Sequence, residues 1–299
     1  MKRIITYKNL LTKALVALPF FLCFAQQVQA AGLSKATKTL MLGETVVKIN
    51  IYENNSAGVI FFAPHYNERP GAKATKKIIA EKSGRLVEIE SLDANGNPLR
   101  NLKFRFQNEF YSVDPNRIFT ANGRKCSKFA APIEKLIADF ADELLKVIAP
   151  KDHDKNIPIV AVHNNQDVDE KDASLRNRDL TANSFIKSGA YEAQVNGVYL
   201  SNSEIDKDNF VFLSAFAFLS FFAERDFNVV VQKPGKQLFS ESCEVDDGSL
   251  SVYFGQKNLP YINLEADIKS GGFRQAQMLE AVYSLVEEIN EKSVREKKQ

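Results

Sequence analysis

Two short runs, GVIFFAP at residues 58–64 and IPIVAV at residues 157–162, are almost wholly apolar and show no period-two alternation. A strand with one wet face alternates, whereas a strand apolar on both sides must be covered on both, as in sheets flanked by helices. The neighbouring segments agree with that restriction. KTLMLG and TVVKINIYE form a two-strand lead-in, RLVEIES alternates as a strand, and GAKATKKIIAEKSG between them has helical spacing and a stop at Gly84. LKFRFQNEFYSVD predicts a hairpin turning at Gln107-Asn108, followed by a loop, PNRIFTANGR. Phe129, Ile133, Leu136, Ile137, Phe140, Leu144 and Leu145 recur near every 3.6 residues, predicting an amphipathic helix over 127–148 closed by Pro150. Residues 209–232 carry a strand or helix-helix-strand unit, SLSVYFGQ and PYINLEAD read as two more strands, and a helix over 274–292 closes the chain. Strands alternating with helices predict an α/β fold with a mixed, mostly parallel central sheet and helices on both faces.

The first thirty residues stand apart from this pattern. Lys2, Arg3, Lys8 and Lys13 precede the apolar run ALVALPFFLCFA and the small-residue ending QQVQA, the pattern of a secretory signal peptide cut after Ala30. The competing reading, a membrane anchor, needs a run of roughly 18 residues or more, longer than this one. FFLC lacks the small residue a lipoprotein signal places before its cysteine, so no lipid anchor is expected. Residues 31–299 then form one domain, expected in the periplasm or outside the cell. Basic and acidic residues nearly balance, 39 against 37, and are scattered, which points away from nucleic acid and anionic membranes and toward a small molecule or peptide. Cys126 and Cys243 are left in the mature chain; in an oxidising compartment they could pair, and the sequence leaves that open.

The chain has three histidines, and two of them, His65 and His163, follow the apolar runs directly, where open α/β sheets place their ligands. His153 sits among charges in PKDHDKN and reads as a surface residue. Glu68 stands three residues after His65, so His65, Glu68 and His163 make the two-imidazole, one-carboxylate set that suits catalytic zinc with a fourth position open for water. Glu265, flanked by Ile262, Leu264 and Ala266, is the candidate base; at the end of an edge strand it would instead face water. The stretch 164–209 is polar and long for a loop in a compact domain, as functional loops are.

HYNE, then DPNRIF, then a strand-ending histidine, then NLEAD with GGFR and a closing helix resembles, in that order, the zinc metallocarboxypeptidase superfamily. That superfamily includes carboxypeptidase A-like enzymes and aspartoacylase or succinylglutamate desuccinylase-like deacylases. The resemblance spans residues 58 to 290 and implies that His65, Glu68 and His163 bind Zn2+ and that Glu265 is general base and acid. It also implies that Asn116 and Arg117 grip a substrate carboxylate, a task suited to a planar guanidinium. DPNRIF is equally a turn set by Asp114 and Pro115. A second arginine should stabilise the oxyanion; Arg105 is the candidate, with Arg100 its competitor.

Two departures bear on placement within the superfamily. Counting back from Glu265 to the carboxypeptidases' capping tyrosine reaches SESCEVDDGS, which has none, and the same count puts Leu250 at the floor of the specificity pocket. The expected activity is zinc-dependent amide hydrolysis by a carboxypeptidase acting on peptidoglycan-derived or other small peptides. The alternatives are a deacylase or amidase of the aspartoacylase type and a non-catalytic binding protein on the same scaffold.

Overall fold

The computed structural model describes residues 32–55, 58–165, 180–186, 191–201, 206–214, 216–270 and 272–296. Residues 1–31, which hold the expected export signal, lie outside these, as do residues 166–179, 187–190 and 202–205 of the polar stretch 164–209. The described residues belong to one compact unit, and among them no helix is long and apolar enough to cross a membrane.

The strands are β1 (Ser34–Leu42), β2 (Thr45–Asn54), β3 (Ile60–Ala63), β4 (Gly84–Glu90), β5 (Leu102–Phe106), β6 (Glu109–Val113), β7 (Ile159–Asn165), β8 (Val195–Tyr199), β9 (Phe210–Leu213), β10 (Asn228–Gln232) and β11 (Tyr261–Asp267). The helices are α1 (Arg69–Glu81), α2 (Ala121–Cys126), α3 (Ala131–Ile148), α4 (Leu219–Ala223), α5 (Leu250–Gln256) and α6 (Phe273–Glu296). Nine strands form one mixed sheet in the order β1-β2-β4-β3-β7-β11-β9-β10-β8, and β5 and β6 form a separate hairpin. The centre, from β4 through β3 and β7 to β11, is parallel. Antiparallel ladders lie at the flanks and between β11 and β9.

The two apolar runs became β3 and β7, at the middle of the sheet, and their side chains divide between two cores. Phe61, Val160, Val162, Ile262 and Leu264 pack with Ile78, Ile79, Met278 and Val282, under α1 and α6. Phe62, Ile159, Ala161 and Tyr261 pack on the other face with Ile133, Ile137, Phe140, Leu144, Leu250 and Phe254, under α3 and α5. Each face buries enough apolar area that no register slip is tolerated, because a one-residue shift would exchange the faces. The hairpin turns at Gln107 and Asn108, both with positive φ (51° and 67°), the backbone of a tight two-residue hairpin turn.

Three expectations are corrected. Residues 250–256 form α5 rather than continuing a strand from 249: Ser249 caps the helix by accepting from the Val252 amide, and Leu250 and Phe254, four apart, share the buried face. The alternation of Leu250, Val252 and Phe254 had mimicked a strand. The amphipathic helix starts at Ala131 rather than residue 127, because Pro132 sits in its first turn. The expected loop after Pro115 contains α2, capped by the Thr120 hydroxyl on the Gly123 amide. Cys126 and Cys243 are bonded, with Cα atoms 5.8 Å apart, and close a span of 117 residues.

Candidate metal centre and adjoining cavity

Glu68 occupies the N-cap position of α1, yet its carboxylate caps nothing. The chain turns back between His65 and Glu68 through a Glu68 amide to His65 carbonyl bond, and Pro70 starts the helix. The Glu68 side chain is thereby aimed off the helix axis at the ends of β3 and β7, giving up a capping bond worth about 0.5–2 kcal/mol. Its Oε1 lies 2.8 Å from His65 Nδ1 and its Oε2 lies 3.0 Å from His163 Nδ1. The Asn164 backbone amide donates to the same Oε2 at 3.1 Å. Asn164 also fixes the helix, accepting from the Gly71 amide at 2.7 Å; any Cβ at position 71 would sit 3.0 Å from that oxygen, so a glycine belongs there.

His65, Glu68 and His163 are all buried, and their ligand atoms lie within 4.8 Å of one another. The donor chemistry fits a zinc ion: two imidazole nitrogens and a carboxylate converge, the set that would hold one. His163 Nδ1 faces Glu68, and its Nε2 is buried without a partner among the described residues.

The sequence missed the residue that orients His65. Asp114 accepts from His65 Nε2 at 2.9 Å, which leaves Nδ1 for the cluster, the carboxylate–imidazole arrangement that fixes a metal-binding tautomer. The same Oδ1 accepts from the Asn116 amide, so the turn reading of DPNRIF also holds. The sequence placed Asp114 at the head of a turn, and nothing along the chain ties it to His65, 49 residues away.

Burial alone would push His65 down, but Glu68 and Asp114 raise it to about 9 in the metal-free protein. Burial works against the Glu68 carboxylate too, and His65 and His163 hold it far below the usual range. Asp114 is likewise held well below its ordinary value despite burial, by its bond to His65. The His65 imidazolium, donating from Nδ1 to Glu68 and from Nε2 to Asp114, thus puts its Nδ1 proton where the donor set fits a cation.

Arg100 donates to Glu68 Oε1 at 2.7 Å and approaches Asp114 at 3.5 Å. Arg105 lies elsewhere: its guanidinium bonds Asn108 on the hairpin and pairs with Glu44, so the arginine beside the cluster is Arg100. The difference arises because Arg105 projects from the solvent side of β5, whose alternation buries Leu102 and Phe104.

Glu265 pairs in register with His163 on the adjacent parallel strand, which sets both side chains on the same face of the sheet. It is buried, and burial pushes its carboxyl above the ordinary value, countered in part by His163. The Asn263 amide donates to its Oε1 at 2.9 Å. Glu265 and Arg117 line one cavity of about 60 Å³ with Asn116, Tyr191, Asp247 and Asn263. The Asn116 side-chain Oδ1 accepts from the Leu250 backbone amide at the start of α5, and Arg117 Nη1 donates to the Asn116 backbone carbonyl. Arg117 is lowered by burial, but Asp247 and Asp114 more than compensate and hold it protonated. No tyrosine occurs in 240–249, but Tyr191, from the polar stretch, lines the cavity instead.

No protein-family model matches the sequence, and no curated protein does. Among solved structures, the chain is similar to a candidate metallopeptidase from Shewanella amazonensis, with 10% identity over 84% of this chain and 86% of that one and a TM-score of 0.36. It is similar to an aspartoacylase family protein from Mesorhizobium loti, with 13% identity over 84% and 67% of the chains and a TM-score of 0.37. It is also similar to a succinylglutamate desuccinylase from Vibrio parahaemolyticus, with 13% identity over 86% and 67% and a TM-score of 0.38. Identities and scores of this size do not define a family for the chain.

Proposed function

We propose that this protein is an exported zinc-dependent amide hydrolase that removes a carboxylate-bearing residue from small peptides, with peptidoglycan fragments as the substrate class. The observation that carries the reading is the convergence of His65 Nδ1, His163 Nδ1 and both Glu68 oxygens beside a second buried carboxylate, Glu265. A zinc ion held there would supply a water acidified toward neutrality and a Lewis acid for the scissile carbonyl. Glu265, raised by burial and lying next to His163, takes a proton from the attacking water and hands it to the leaving amine. Arg117 binds the carboxylate of the leaving residue, and Asn263 keeps the Glu265 carboxylate oriented. Arg100, half exposed at the mouth of the cluster, is placed to neutralise charge developing on the carbonyl oxygen.

The disulfide supports an oxidising compartment, in keeping with the export signal. The small cavity also suits a deacylase that releases a single amino acid. A complete ligand set and a buried base favour either enzyme over a non-catalytic binding role. Metal analysis with a His163→Ala variant tests the reading. The wild type should carry one zinc per chain and the variant none; a wild type that takes up no zinc would exclude it.

A further inference from the structure

The cavity lined by Glu265 also holds a charge pair that the carboxylate-binding role of Arg117 does not account for. Asp247 Oδ2 lies 3.6 Å from Arg117 Nη2, too long for a tight bidentate pair, so the guanidinium keeps donors for a ligand. The other oxygen, Oδ1, accepts from the Ser249 amide at 3.0 Å and fixes the carboxylate against the backbone. The loop around it is firmly held. Asp246 is buried and accepts from Thr120 and Gln256, and Cys243 is bonded to Cys126. Gly248 adopts φ 78°, and a Cβ there would collide with the Arg117 carbonyl. Asp247 is therefore a fixed anion presented beside Arg117.

The charge balance of the cavity is the second observation. Among the described residues that line it, Arg117 is the one cation, against the carboxylates of Asp247 and Glu265. Glu265 aside, Arg117 and Asp247 offset one another, so a ligand bringing only a carboxylate would add an uncompensated negative charge where charges are weakly screened. A ligand bringing a carboxylate and an ammonium together adds none. A volume of about 60 Å³ also suits a compact polar group of this kind better than a large side chain.

We propose that Asp247 determines specificity by binding a free ammonium that stands beside the carboxylate held by Arg117, so that the leaving residue is a diamino acid with a zwitterionic end. One amino group of that residue carries the scissile amide and the other stays free; hydrolysis adds hydroxide to the acyl carbon and a proton to the released amine. This rests on the hydrolase reading above, but the recognition it assigns is measurable without turnover.

The test uses the zinc-loaded mature chain and two probes differing in one ammonium: mono-N-acetyl-2,6-diaminopimelate and N-acetyl-2-aminopimelate. Affinities come from titration calorimetry, and cleavage is followed in the same mixtures by mass spectrometry. The diamino probe should bind at least tenfold more tightly to the wild type. Asp247→Asn should bring the affinity ratio to within twofold of one, and Asp247→Glu, which keeps the charge, should retain part of it. A wild-type ratio near one, or a ratio that survives Asp247→Asn, overturns the assignment and reduces Asp247 to a support for Arg117. A binding preference without cleavage of either probe refutes the hydrolase reading and upholds the role of Asp247.

Discussion

Removing the Asp114 carboxylate should weaken metal binding in a graded way that follows from its contacts. Asp114 holds the His65 imidazole by a 2.9 Å bond from Nε2, inside a cluster where both partners are largely shielded from water. Outer-shell partners of metal-binding histidines typically contribute 10- to 100-fold in affinity, about 1.4–2.7 kcal/mol. Asp114→Asn keeps an acceptor but loses the charge, and charge-assisted bonds are roughly twice as strong as neutral ones. The Asn variant should therefore lose about half of the effect, near tenfold, and the Ala variant about 100-fold. Competition against a chromogenic chelator measures the dissociation constants. Because Asp114 also accepts from the Asn116 amide, thermal melts of the metal-free variants should accompany the titrations, to separate loss of orientation from loss of the turn. Zinc affinity in Asp114→Ala within threefold of wild type, with the fold intact, would refute the reasoning.

Zinc uptake at pH 7.5 should release about one proton, because His65 is protonated up to about pH 9 without metal and its Nδ1 must be free to bind; calorimetry in buffers of different ionisation enthalpy measures the number. In the metal-free protein, His65 has a raised folded pKa, so its contribution to stability is full below about pH 6.5 and fades as pH rises through 9. Glu68 and Asp114 have depressed folded pKa values, so theirs is present above pH 4.5 and is lost on acidification. The melting temperature of the metal-free protein should thus peak between about pH 5 and 8. Replacing Cys126 and Cys243 together by Ala should lower unfolding free energy in urea by about 2–5 kcal/mol, since the bridge closes 117 residues. Arg117→Ala should raise KM for substrates with a free carboxylate far more than it lowers kcat, as steady-state kinetics would show.

Where a residue's neighbours in sequence are also its neighbours in space, the chain could be read directly. Phe61, Phe62, Val160 and Val162 announced central strands because both faces are buried, and His65 and His163 followed from where those strands stop. Glu265 was legible as a carboxylate in an apolar strand, although only the β7–β11 register sets it beside His163. Asp114, Asn164 and Asp247 were not legible, since each acts through a partner on another element: His65, Glu68 and Arg117. Arg105 was preferred to Arg100 for proximity to Asn116 along the hairpin, but alternation along β5 turns it to solvent, away from Glu68. The α5 segment was misread because its alternating Leu250, Val252 and Phe254 also satisfy one turn of helix, and the Ser249 cap decides between them.

The most direct test of the central claim is mass spectrometry of purified peptidoglycan fragments incubated with the zinc-loaded mature protein, with Glu265→Gln alongside. The wild type should release a carboxylate-bearing residue, and the variant should retain zinc while losing turnover by 10²-fold or more, as expected on removing a general base. A Glu265→Gln variant that cleaves as fast as the wild type would contradict it.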